Sequence, residues 1–132
     1  MSFDFGKYIS SAEADLLEGR TPQLTFKAFQ DGWVKSFGET AVEEVIIPHR
    51  TYMRRKAKKQ RLNEAETDRA LRVARIATHA ARVFHNAEKG QKWLQSPNRK
   101  FASRTPFSLL KTDLGCELVE ETLHQIEHGI FA

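Results

Sequence analysis

With one cysteine, four prolines and no long apolar run, the 132-residue chain excludes several architectures at once. Cys116 has no second thiol to pair with, so there is no internal disulfide and no multi-cysteine zinc site. Set among Leu114, Leu118 and Val119, it reads as a small buried hydrophobe rather than a reactive thiol. No stretch approaches the roughly 18 to 20 apolar residues that a membrane span requires. The opening segment, Met1 to Lys7, lacks the basic-then-apolar pattern of a secretory leader. A soluble, cytoplasmic protein with no membrane contact is expected. Alternating, β-branched strand patterns are scarce, and there is no glycine-rich phosphate loop, nucleophile elbow or Cys-His arrangement. The chain is therefore expected to be no enzyme and to carry no cofactor.

What the chain does have is enough apolar material, 40% of its residues, for one compact core or two small subdomains sharing one. Its charge is distributed more informatively than its net value of +4 suggests. Seven Lys or Arg residues and no acid lie between Arg50 and Arg61. From Asp113 onward there are five acids and no Lys or Arg.

Prolines and glycines fall between periodic segments, as in a bundle of short helices, and an all-α fold is expected. A short N-terminal helix is placed around residues 11–18, and another covers Gln23 to about Trp33 with Leu24, Phe26, Phe29 and Trp33 as its apolar surface. Thr40 with Glu43 matches a capping box for a short helix ending at Ile46-Ile47-Pro48. Pro48 turns the chain tightly into a basic helix over about 49–60. Asn63, followed by Glu64 and Glu66, caps a long helix to Phe84. Its stripe of Ala70, Val73, Ala77, Ala80 and Phe84 is widened by Leu71, Ala74 and Ala81, and so many alanines imply close helix approach. A helix over about 87–94, an irregular connection to Thr105, one turn begun by Pro106, and a last helix over about 113–128 complete the list. The last helix buries Cys116, Val119, Leu123 and Ile126 and stops at Gly129. The expected division is 1–22, an N-terminal segment of unassigned role; 23–62, a helix-turn-helix region; and 63–132, the long shared helix and a small C-terminal helical half.

The short helix, tight turn and basic helix have the order and length of a helix-turn-helix, whose second helix enters the major groove of DNA. On the basic helix Arg50, Arg54, Lys58 and Arg61 share a face, Arg55 and Lys59 flank it, and Met53 and Ala57 are expected to face inward. Thr51, Tyr52 and Arg55 are the candidates for base edges, since a guanidinium can pair with guanine and a threonine methyl can touch thymine. Lys56, Lys58, Lys59 and Arg61 are assigned to phosphates. The alternative is a solvated basic helix or one that pairs with an acidic protein. Glu121, His124 and His128 have helical spacing that can ligate metal, but without a second such motif they are read as solvated or interface residues, with no metal site.

The residues Ile47-Pro48-His49-Arg50-Thr51, Arg54-Arg55-Lys56, Arg61-Leu62 and Glu66-Thr67-Asp68-Arg69 form one block. Trp93-Leu94, Pro97-Asn98, Arg104-Thr105-Pro106, Leu109-Leu110, Thr112, Gly115, Val119, Leu123, Ile126 and Gly129 form a second. Over residues 45–132 the chain resembles the Xre/MbcA/ParS-type antitoxins. It departs from their pattern with His85 and with Ala102-Ser103, where glycine is usual.

The resemblance implies a toxin-antitoxin pair in which a RES-domain toxin consumes NAD or transfers ADP-ribose. It also implies that the C-terminal half and tail of the antitoxin block that toxin's active site, while the helix-turn-helix half represses the shared promoter. The partners implied are a RES-domain toxin and operator DNA, bound as a homodimer within a larger complex. Candidate toxin contacts are Trp93, Asn98, Phe101, Arg104, Glu127, His128, Ile130, Phe131 and Ala132. The residues themselves leave Trp93 and Phe101 open between core and interface, and the Ile130-Phe131 tip open between toxin contact and packing on its own chain. A stand-alone helix-turn-helix regulator is the alternative, and an interaction adaptor with a degenerate DNA-binding half is a third reading.

Overall fold

Apolar spacing along α6 (Glu64–Val83) organises the molecule, described here for residues 3–129 of a computed structural model. Ala70, Val73, Ala74, Ile76, Ala77 and Ala80 are buried there and form one continuous core with residues from Phe5 to Leu123. Around this axle lie α1 (Phe5–Leu17), α2 (Phe26–Phe29), α3 (Lys35–Phe37), α4 (Glu39–Val45), α5 (His49–Lys58), α7 (Ala87–Leu94) and α8 (Asp113–Glu127). A π-helical turn, Gln30–Val34, makes α2 and α3 continuous, and 3-10 turns cover Arg99–Phe101 and Phe107–Lys111. Among the described residues no sheet forms, and one isolated bridge joins Asn98 to Arg104. The all-α expectation holds. No helix among the described residues is long and apolar enough to cross a membrane.

The N-terminal segment is a structural element in its own right. Its helix starts at Phe5, earlier than the placement over 11–18, because the Asp4 carboxylate accepts from the Lys7 amide and caps the first turn. Phe3 and Phe5 stand edge-on to Trp33, with ring centroids 5.7 and 5.0 Å away. The π turn aims Trp33 fully into the core, where its indole N–H donates to the Ala70 carbonyl at 2.7 Å.

Gly38, at φ 90°, ends α3 and serves directly as the N-cap of α4. The Thr40–Glu43 capping box is therefore displaced: α4 already begins at Glu39, and Thr40 lies inside its first turn. Asn63 and Glu66 do form a capping box at the start of α6. Ile126, expected to be buried, is half-exposed, whereas Cys116 is buried and its thiol pKa is raised by that burial.

Two close approaches fix the C-terminal helices. A Cβ on Gly90 of α7 would meet backbone atoms of Ala80 and Ala81 at 2.8 Å, so only glycine lets α7 lie this close to α6. A Cβ on Gly115 would lie 1.7 Å from the Leu109 carbonyl oxygen, which presses the preceding 3-10 turn onto the start of α8. His85 sits in the left-handed region at φ 56°, as do Ala102 and Ser103 at 56° and 64°. These residues stand where the resemblance places glycine. Gly115→Ala should destabilise the fold by about 3 kcal/mol through forced overpacking. Ala102→Gly should stabilise it by about 1 kcal/mol by relieving left-handed strain. Thermal unfolding of both variants checks this; equal melting temperatures for Ala102→Gly and the parent would contradict the strain assignment.

Candidate nucleic-acid interface and partner-binding surface

The turn between α4 and α5 comprises Ile46, Ile47 and Pro48, with both isoleucines buried and Pro48 in extended geometry as the N-cap. That three-residue turn fixes the direction of α5, and two buried contacts fix its rotation. Tyr52 is fully buried, and its hydroxyl donates to Gln30 Oε1 at 2.9 Å. Arg55 donates from Nε and Nη2 to the two oxygens of Glu66 at 2.7 and 3.1 Å, and Glu66 is 4% exposed. Glu66 Oε1 also accepts from the Asn63 amide at 2.9 Å. A planar guanidinium matches this two-oxygen geometry, so one ion pair locks α5 to the first turn of α6.

These contacts correct the reading of the basic helix. Tyr52 and Arg55 were the expected base-edge residues, but one is packed in the core and the other is committed to a buried carboxylate. Met53 and Ala57, expected to face inward, are exposed. The solvent face of α5 therefore runs Arg50, Met53, Arg54, Ala57 and Lys58, at three-four spacing, with Lys56 also exposed. Thr51 is half-buried. Lys59, left-handed at φ 51°, ends the helix, and Arg61 beyond it is exposed while donating to the Gln23 carbonyl at 3.1 Å. At the other end, His49 Nδ1 meets the Glu43 carboxylate of α4 at 2.8 Å. Exposed positive charge thus accumulates toward the C-terminal part of α5, while its first turn is flanked by acid.

The second surface joins the turn at residues 98–104 to α8. Asn98 shapes the turn: its amide donates to the Arg104 carbonyl and its side chain accepts from the Lys100 amide, both at 3.0 Å. Phe101 and Leu109 are half-buried there. With Leu118, Thr122 and the left-handed Ala102 they line an open, mainly apolar groove of about 460 Å³. Leu114 and Leu118, one turn apart on α8, are 67% and 45% exposed. Sequence reasoning missed both leucines. The available signal was two leucines spaced i, i+4 but off the buried stripe of Cys116, Val119 and Leu123.

Of the other expected partner contacts, Trp93 is half-buried with its ring 5.8 Å from Phe84, and Arg104 is exposed. Glu127 bridges back to α6, with Arg82 Nε at 3.4 Å and His79 Nε2 at 3.7 Å. Desolvation opposes ionisation of Glu127, but the hydrogen bond and charge of Arg82, with His79 and His128, outweigh it and hold its pKa below the usual carboxylate value. His128 is exposed beside His124. Ile130, Phe131 and Ala132 lie outside the described residues.

Comparison with known proteins gives this two-surface helical unit a family. The model of the antitoxin Xre/MbcA/ParS C-terminal toxin-binding domain matches residues 79–129, which run from the end of α6 through α8. An "Antitoxin Xre" of Pseudomonas putida is 42% identical over 91 residues, 68% of this chain and 57% of that protein. Relatives of the same description occur in Photorhabdus laumondii, 34% identical over 72% of this chain, and Yersinia enterocolitica, 32% identical over 65% of it. The alignments span 66% and 59% of those two proteins, so the match covers less than two thirds of each relative. The chain belongs to the Xre/MbcA/ParS-type antitoxin family.

Arg55→Ala leaves the buried Glu66 carboxylate without its partner and should destabilise the fold by about 3 kcal/mol. Arg55→Lys, which cannot form the fork, should recover only part of that loss. Denaturant unfolding measures both; an Arg55→Ala protein as stable as the parent would overturn the structural role.

Proposed function

We propose that the chain is an antitoxin with two separate binding surfaces and no chemistry of its own. One captures a cognate RES-domain toxin, an enzyme that consumes NAD or transfers ADP-ribose, and inhibits it by covering its active site. The other binds operator DNA and represses the operon that encodes the pair. The observation that carries the reading is the match of the toxin-binding family model to residues 79–129, the stretch that bears the groove between Phe101 and Leu118. Exposed leucines beside such a groove are unfavourable in water and become favourable once a partner covers them. Of the residues first expected at this surface, Phe101, Asn98, Arg104, Glu127 and His128 remain candidates, with Trp93 at its margin. The tail, Ile130 to Ala132, is proposed to extend the contact into the toxin's cleft.

For DNA the proposal moves the specific contacts to the exposed face of α5. Arg50, Met53 and Arg54 take the base-edge role, with Thr51 at the helix start, because an arginine can read guanine and an apolar side chain the thymine methyl. Lys56, Lys58, Lys59 and Arg61 contact phosphates. Two copies reading half-sites about one helical turn apart would give a homodimer on a palindromic operator. A cytoplasmic location follows from a partner that acts on NAD and from an operator target.

Separate variants test the two surfaces. Arg50→Ala, Arg54→Ala and Lys58→Ala together should keep the fold and toxin neutralisation, and lower the slope of log affinity against log salt by about 2.7, at about 0.9 per lost phosphate contact. Phe101→Ala with Leu118→Arg, or deletion of residues 130–132, should weaken neutralisation in a growth-rescue assay and leave operator binding intact. Full rescue by both C-terminal variants would refute toxin capture at this surface. DNA binding by a chain that neutralises no toxin would favour a stand-alone transcription regulator instead.

A further inference from the structure

The end of α8 gathers three potential ligands that neither surface above requires. The spacing of Glu121, His124 and His128 suggested a carboxylate partner one turn before the histidines. The structure supplies a different one. The ligand atoms of His124, Glu127 and His128 all lie within 4.8 Å of one another. The two imidazoles, a turn apart, have ring centroids 4.2 Å apart and planes 60° apart. All three residues are exposed, and neither imidazole hydrogen bonds to another described residue. The carboxylate is held from the side away from the rings: Arg82 lies 3.4 Å from its Oε2, and His79, 3.7 Å from its Oε1, stands between α6 and α8. Outer contacts of this kind set the direction in which a ligand presents its lone pairs. The Arg82 charge opposes a cation here. Opposing it in turn are the acids of α8, which carries Glu117, Glu120 and Glu121 and no Lys or Arg.

We propose that His124, Glu127 and His128 form a three-ligand site for a borderline divalent metal ion, zinc fitting the donors best. Two neutral imidazoles and one carboxylate are a recurrent zinc set that leaves the fourth tetrahedral position open to water. Nitrogen-rich donors disfavour magnesium and calcium, which take oxygen. Tetrahedral zinc needs its ligands about 3.4 Å apart, from bond lengths near 2.1 Å. Rotation of two exposed rings about their χ angles closes the present spread to that distance. The bound ion ties His124 to His128 across the last helical turn, immediately before Gly129 and the tail.

The site stands whether or not the toxin-capture reading holds, so it is tested on the free chain with no toxin present. Zinc titrated into the full-length protein by calorimetry should bind at one ion per chain. Imidazole NMR signals of His124 and His128 should shift, and those of His49, His79 and His85 should not. The variant with His124→Ala and His128→Ala should bind roughly tenfold or more weakly while keeping its circular dichroism, since both positions are exposed. Lowering the pH from about 7.5 to about 5.5 should also weaken binding, as protons compete for both rings. Absence of binding at about millimolar zinc, unchanged affinity in the double variant, or shifts confined to the other histidines would overturn the proposal.

Discussion

One buried ion pair, Arg55 with Glu66, decides what the rest of the molecule can present. Glu66 is buried deeply enough that its charge must be met in full, and it is met by three donors: two from Arg55 and the Asn63 amide. The same carboxylate closes the capping box of α6 and sets the rotation of α5. Once Arg55 is turned inward beside Tyr52, helical geometry leaves Arg50, Arg54 and Lys58 on the outside. The proposed DNA-binding face is thus what remains of a basic helix after its own core has taken two residues.

The second constraint is the close contact that α6 makes along its length. Small side chains at Ala70, Ala74, Ala77 and Ala80 let neighbouring helices approach, and Gly90 removes the last obstacle for α7. Because α6 packs against α1 at one flank and against α7 and α8 at the other, the two candidate surfaces share a rigid support. They remain chemically independent. The basic face of α5 and the apolar groove beside α8 draw on different residues, so each can be altered while the other keeps its shape.

Local signals in the sequence carried the helices well and their rotation poorly. The Asn63 cap, the limits of α7, the alanine stripe and the buried Cys116 follow from hydrogen-bonding and spacing rules that act within a few residues. The rotation of α5 does not, because it depends on a glutamate eleven positions away along the chain. An apolar-inward rule put Met53 and Ala57 in the core, whereas a tyrosine with a hydroxyl partner and an arginine with a carboxylate took those places. The N-terminal helix was legible and overlooked: Phe5, Tyr8, Ile9 and Ala12 repeat at helical spacing and all face the core or its margin. For Thr40, a good local cap lost to Gly38, whose positive φ started α4 sooner. The groove beside α8 was marked only by two leucines off the buried stripe, a pattern that one sequence does not separate from chance exposure.

The account's central claim, that the C-terminal half exists to hold a toxin, is tested most directly by recovering the tagged chain from its native cells and identifying by mass spectrometry what co-purifies at near-equal amount. A RES-domain protein, lost when Phe101 and Leu118 are replaced, is the predicted result. Recovery with DNA alone and no stoichiometric protein partner would contradict it.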